Sequence, residues 1–218
     1  MSGTISEVAA PVYAASTGMS SFTLNGNAAG DIWVGYMEID PGNSVTVKSM
    51  SSGKASWVRV AQAFGNDSKD YELWIGRINA TGSDSVNLTF TGSVSSSNVE
   101  TGFQEFTSSR GRIWLVDTSG FIAYTGSSNN VLAFPTLDAR NPDSLYWGYG
   151  KTTGTGSAGA TAGYSYDASA PNVNVVAWGP DVSGVQSPTA QSGFGNGQSI
   201  AVILTDAAAG SDAFLLLL

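Results

Sequence analysis

Glu38 and Glu72 each interrupt a strand-like run of aromatic and aliphatic residues. Glycoside hydrolysis needs two such carboxyls facing one another across a cleft. The competing reading, that both point to solvent from half-exposed strands, is preferred here. The other titratable residues narrow the options. The 218 residues include no His and no Cys, which removes a Ser-His-Asp triad and the usual general base near neutral pH. Zinc and most transition metals lose their common ligands as well. Calcium needs only oxygen, which Asp67 with Asp70, or Asp40 with Asn43, would offer. No Asp-x-Asp-x-Asp-Gly pattern accompanies them, so these residues read as turn formers. Gly193-Phe194-Gly195-Asn196-Gly197 leads into a strand-like run and not a helix. It therefore presents no helical N–H groups to a phosphate. Neither enzymatic activity nor a cofactor is expected.

Aromatic side chains are the second source of chemistry. Tyr146-Trp147-Gly148-Tyr149 and the pair Tyr164 and Tyr166 suggest a stacking platform for sugars, with Trp147, Tyr149, Tyr164 and Tyr166 as its surface. Alternating aromatics in strands more often form core or cross-strand pairs, and that reading is preferred. Sequons at Asn66, Asn79 and Asn87 carry little weight without a signal peptide. The chain ends Ala207-Ala-Ala-Gly-Ser-Asp-Ala-Phe-Leu-Leu-Leu-Leu218. Burying Phe214, Leu215, Leu216, Leu217 and Leu218 would supply roughly 7–15 kcal/mol gross, against a backbone ordering cost of about 1–2 kcal/mol per residue. Left in water, such a patch invites association. It is read as a contact, with its own domain or with a neighbouring subunit.

These residues sit in a repeated grammar of short β-branched and aromatic runs separated by Gly, Ser, Asn, Asp and Thr. Examples are Asp31-Ile-Trp-Val-Gly-Tyr-Met-Glu-Ile-Asp40, Ala55-Ser-Trp-Val-Arg-Val-Ala-Gln-Ala-Phe64 and Asn172-Val-Asn-Val-Val-Ala-Trp-Gly179. The spacing predicts an all-β, antiparallel, jelly-roll-like sandwich. Strands are expected at 21–25, 31–40, 44–50, 56–64, 71–78, 86–91, 103–107, 112–117, 121–125, 131–134, 144–150, 162–167, 173–179 and 198–205. The organisation expected is an N-terminal arm over 1–20, one sandwich domain over 21–206 and an apolar C-terminal tail over 207–218. In Tyr71 to Ile78 apolar residues fall on both faces, the mark of a central strand covered on both sides or of a surface buried in an assembly, and the first reading is preferred. Lys151 to Gly163 and Ser183 to Gln198 are poor in large side chains and read as surface loops. No internal repeat is evident.

Bulk properties exclude several functions. A chain of this length buries roughly 70% of its unfolded surface and folds without a metal or disulfide. Seventeen acidic against nine basic residues give a net charge of −8. Nucleic-acid binding depends on basic residues neutralising phosphates, and the bases are scattered, with Arg110 and Arg112 the only close pair, so no nucleic-acid partner is expected. No apolar run approaches the ~20 residues of a membrane span. The start Met1-Ser-Gly-Thr-Ile-Ser-Glu lacks a basic region, and Pro11 breaks the weakly apolar stretch after it, so no secretory leader is expected.

The order Ala28-Ala-Gly-Asp31-Ile-Trp-Val-Gly-Tyr-Met-Glu-Ile-Asp40, then Ser56-Trp-Val-Arg-Val60, then Tyr71-Glu-Leu-Trp-Ile-Gly-Arg77 resembles a β-sandwich domain of virion proteins of tailed phages that infect actinobacteria. Ser144-Leu-Tyr-Trp-Gly-Tyr-Gly150 and Ser199-Ile-Ala-Val-Ile-Leu-Thr-Asp206 look like its closing strands, and the likeness covers most of residues 21–206. The resemblance implies a non-enzymatic structural protein of a bacteriophage virion, assembled in the host cytoplasm. The expected role is a minor tail protein that forms homo-oligomers and docks on other virion proteins. Capsid decoration, or a head fibre, is the first alternative, and a carbohydrate-binding module for host surface glycans the second.

Overall fold

The computed structural model describes residues 5–41, 45–109, 113–123, 130–152, 154–193 and 197–207. Its elements are β-strands and one 3-10 turn, Pro171–Val173, and the pairings are antiparallel. The first eight strands are β1 (Ile5–Thr17), β2 (Ser21–Gly26), β3 (Ile32–Asp40), β4 (Val47–Ser51), β5 (Ala55–Phe64), β6 (Asp70–Ile78), β7 (Gly82–Phe90) and β8 (Asn98–Ser108). The second eight are β9 (Ile113–Ile122), β10 (Val131–Ala133), β11 (Leu137–Lys151), β12 (Gly156–Ser157), β13 (Ser165–Ala170), β14 (Asn174–Gln186), β15 (Thr189–Ser192) and β16 (Gln198–Ala207).

The chain divides into two compact units, one built from Ser6–Ser108 and the other from Ser109–Ala208. In the N-terminal unit a five-stranded sheet runs β1-β8-β3-β6-β5 and a three-stranded sheet runs β2-β7-β4. In the C-terminal unit the sheets run β13-β14-β11-β16-β9 and β10-β15-β12. Counting β9 to β16 as strands one to eight gives the same orders, 1-8-3-6-5 and 2-7-4. Eight strands on that path form a jelly roll. The chain therefore traces it twice, where the residues suggested one sandwich and no repeat.

Register makes the repeat specific. Gly35 of β3 lies opposite Trp74 of β6 and Phe103 of β8. Gly148 of β11 lies opposite Ala177 of β14 and Ala201 of β16. A tyrosine follows each glycine, Tyr36 and Tyr149. Counting outward from these anchors pairs Gly76 with Gly179, Arg59 with Tyr166, and Glu72 with Val175. Both paired glycines serve one purpose. A Cβ on Gly76 would lie 2.5 Å from the ring of Trp57, and one on Gly179 would lie 3.0 Å from the ring of Tyr164. Each is the seat of an aromatic delivered by the fifth strand or the loop just before it.

Each unit has its own core. The N-terminal core gathers Phe22, Leu24, Trp33, Met37, Ile39, Trp74, Ile78, Val86 and Phe103, with Trp57 at its margin. Phe22 stacks on Phe103 at 5.3 Å, and Trp57 meets Phe103 edge-on at 5.2 Å, geometries that suit ring quadrupoles. The C-terminal core gathers Leu132, Phe134, Leu137, Tyr146, Val175, Ala177 and Ile203.

Several elements differ from the sequence reading. Residues Ile5–Thr17, expected as part of an arm, form edge strand β1 beside β8. Its Ala-rich composition hides the strand, and Pro11 is tolerated because an edge strand has one unpaired side. The runs 112–117 and 121–125 are replaced by one strand, β9. The small-residue segments expected as loops contain β12 and β15. Small residues around them answer to crowding, since a Cβ on Gly156 in β12 would sit 2.2 Å from the carbonyl oxygen of Val173, and one on Gly159 would meet the carbonyl oxygen of Thr189 in β15. Tyr71 to Ile78 is an internal strand, β6, with Arg77 its exposed residue.

Candidate functional site

The carboxylates flagged for glycoside chemistry do not face one another. Along β6, Glu72 shares a face with the core residues Trp74 and Ile78. Along β3 the core residues are Trp33, Met37 and Ile39, so Glu38 points to the opposite face of the same sheet. Neither reaches solvent, contrary to the half-exposed alternative, because both are fully buried. The sugar platform is divided in the same way. Tyr146 belongs to the C-terminal core, with Tyr164 and Tyr166 against it, and alternation places Trp147 and Tyr149 on the other face. Trp147 and Tyr149 are also fully buried. The four aromatics thus form no common exposed surface. Phe214, Leu215, Leu216, Leu217 and Leu218 lie outside the described residues, as do Arg110, Arg112 and Asn43.

The structure gathers charge inside the N-terminal unit. Asp31, Glu38, Asp70, Glu72, Glu100 and Glu105 are buried there, while Asp206 is the buried carboxylate described in the C-terminal unit. A buried charge is tolerated when hydrogen-bonded and paired. Glu72 accepts from the Val47 amide at 2.8 Å, from Arg59 Nη1 at 3.1 Å and from the Trp74 indole N–H. Its side chain is 0% exposed while that of Arg59 is 34% exposed, so the ion pair runs from the interior to the surface. Arg59 also donates to the Val47 carbonyl at 3.1 Å and lies 5.8 Å from the centre of the Trp74 ring, within cation–π range. On the opposite face Lys69 bridges Glu38 and Asp40. Burial disfavours its ammonium, but those two acids outweigh burial and raise its pKa above the usual lysine value.

Asp70 is a strongly perturbed acid of this set. Burial, then a hydrogen bond and charge repulsion from Glu72, push its pKa up to about 8, against the lowering effects of Gln62 and Arg59. Gln62 Nε2 donates to Asp70 Oδ1 at 3.0 Å. Asp70 and Glu72 stand two residues apart on one strand face, so the Glu72 charge adds to burial in favouring the protonated form of Asp70. Glu105 is raised mainly by burial, and hydrogen bonds from Asn27, at 2.9 and 2.7 Å, pull the other way. Asp67, a candidate calcium ligand with Asp70, instead accepts the Tyr71 hydroxyl proton at 2.7 Å.

Beside this ion pair a groove of about 340 Å³ opens, lined by Lys48, Ser49, Met50, Trp57, Val58, Arg59 and Trp74. It lies where β4, at the edge of the smaller sheet, meets β5, at the edge of the larger. Both strands are irregular there. The pairing of β4 with β7 shifts between Val47 and Ser49, and that of β5 with β6 shifts between Arg59 and Ala61. Such bulges re-aim side chains, and these coincide with Lys48 and Arg59. The Lys48 side chain makes no ion pair or hydrogen bond among the described residues. Sequence reasoning missed both cations. The signal was present in Trp57-Val-Arg59 and Glu72-Leu-Trp74, where each i, i+2 pair shares a strand face.

Among its described residues the C-terminal unit carries no equivalent. Tyr166, Val175, Ala177 and Ile203 stand where the N-terminal unit has Arg59, Glu72, Trp74 and Glu105. Its buried polar groups are mostly neutral: Asn174 Nδ2 donates to the Tyr149 hydroxyl at 2.7 Å, the Thr152 amide donates to Asn174 Oδ1 at 3.2 Å, and Tyr146 donates to the Pro135 carbonyl at 2.8 Å. No described helix is long and apolar enough to cross a membrane. Comparison of the chain with protein-family models, with curated proteins and with solved structures returned no match.

Proposed function

We propose that the chain is a non-enzymatic structural protein of a bacteriophage virion, in the first instance a minor tail protein that self-associates and docks on other virion subunits. The observation that supports this reading best is the repeated eight-strand path, 1-8-3-6-5 with 2-7-4 in each unit. Jelly rolls recur in viral capsid and lectin domains. Fold alone does not assign function, so the reading also draws on the phage-like pattern of residues 31–40, 56–60 and 71–77. Hydrophobic and aromatic residues here build two cores. The carboxylates singled out for hydrolysis are separated by a sheet or engaged in internal bonds.

The test is to purify particles from the genome that encodes the chain and to label them with antibodies against it. Labelling along the tail supports the proposal, and labelling of the capsid shell shifts it to a decoration protein or head fibre. Absence of the chain from washed particles by mass spectrometry overturns it. Deleting residues 213–218 tests the contact assigned to the C-terminal tail, with weaker incorporation expected.

A further inference from the structure

The groove between β4 and β5 is a local exception to the chemistry of the chain. The chain carries a net charge of −8, yet the groove lining contains two cations and no carboxylate. Internal pairing explains part of Arg59, since its Nη1 neutralises buried Glu72. It leaves the Nε and Nη2 donors of Arg59 without a partner among the described residues, and it does not explain Lys48 at all. Two edge strands bulge at these positions and bring both cations to one opening. Glu72 fixes the guanidinium from behind, with Trp74 beside it. A guanidinium held in this way is pre-organised for an oxyanion, and the lysine adds a mobile second charge. The same lining includes Met50 and the half-buried Trp57. An indole suits a flat, partly apolar ring, and the volume fits a small ligand.

We propose that this groove binds a saccharide bearing a carboxylate or phosphate, with the anion between Lys48 and Arg59 and the sugar ring against Trp57. The C-terminal unit supplies an internal control, because Tyr166 replaces Arg59 and Val175 replaces Glu72 in the same fold. The inference does not depend on the particle role proposed above, since a free protein with this groove would bind the same ligand.

The intact chain is titrated with glucuronate, with glucose 6-phosphate, with glucose and with inorganic phosphate, by calorimetry or tryptophan fluorescence. At least one of the two anionic sugars is expected to bind at least about tenfold tighter than glucose, and the tighter of the two identifies the anion. Lys48→Gln is expected to weaken that binding about tenfold and Lys48→Arg to retain most of it. Lys48 is exposed and its side chain has no partner among the described residues, so neither change threatens the fold. Equal binding of glucose and both anionic sugars, absence of binding, or Lys48→Gln with unchanged affinity would overturn the proposal. Inorganic phosphate binding as tightly as the sugars would also overturn it, by showing a site for charge alone.

Discussion

Where the N-terminal unit places Glu72, Trp74 and Arg59 on adjoining strands, the C-terminal unit places Val175, Ala177 and Tyr166 at the same register positions. Both units complete the same strand order, so the path does not require the ion pair. An aliphatic and an aromatic residue fill that space in one copy. Buried ion pairs are often no better for stability than well-packed apolar residues, although removing one partner is costly. The charges of the N-terminal unit are therefore better explained by what they position, a guanidinium held at the rim of a groove, than by the stability they add.

The sharpest way to break this comparison is to convert one copy toward the other. Glu72→Val alone strands Arg59, the Val47 amide and the Trp74 indole N–H, and should destabilise the protein by about 3–5 kcal/mol in denaturant unfolding. Adding Arg59→Tyr, as in the C-terminal unit, should recover at least about 1 kcal/mol, because no uncompensated cation remains. A double variant no more stable than the single one would show that the two positions are not equivalent.

Next in size is Asp70→Asn. Burial raises the folded-state pKa of Asp70 to about 8, from the ordinary aspartate value of 3.8. Its contribution to stability is fully present below about pH 4 and is lost as pH rises through about 8. Asparagine keeps an acceptor for Gln62 and offers N–H groups to Glu72, as the protonated acid does. At pH 8 the variant should be more stable than the parent by on the order of 2–3 kcal/mol, since the parent has by then begun to ionise a buried carboxyl and asparagine has no proton to lose. Near pH 4 the two should be equal. Thermal unfolding at several pH values checks the slope, and a parent that gains stability between pH 4 and 8 through this residue would contradict it.

Smaller effects distinguish the paired glycines. Gly76→Ala drives a methyl into the Trp57 ring and should cost about 1–3 kcal/mol. Gly179→Ala meets Tyr164 at the longer distance and should cost less. The reverse order would mean that the two aromatic seats are not matched. At the bottom of the scale, Arg140 sits 4.0 Å from Asp117 with its side chain 72% exposed. Arg140→Ala should change stability by less than about 0.5 kcal/mol.

How far the residues foretold this molecule depends on side-chain size. β3, β5 and β6 were legible because aromatic and β-branched residues cluster in them. β1 was hidden by alanines and Pro11, and β12 and β15 by their shortness and small or polar residues, with Gly156 of β12 kept small by crowding. The duplication is hidden in the sequence because it survives in register and not in composition. Gly35-Tyr36 and Gly148-Tyr149 match, as do Gly76 and Gly179, but Glu72 against Val175 and Glu105 against Ile203 share neither charge nor shape. Glu72 was singled out for hydrolysis, while strand alternation, once the core face is known, sends it inward to Arg59. Lys48 was invisible because its direction is set by a bulge, which depends on the partner strand.

The repeated chain path is tested most directly by backbone NOEs in the labelled, intact protein. The account predicts contacts from Gly35 to both Trp74 and Phe103, and matching contacts from Gly148 to both Ala177 and Ala201. A β11 flanked by strands other than β14 and β16 would contradict the duplication and the comparison built on it.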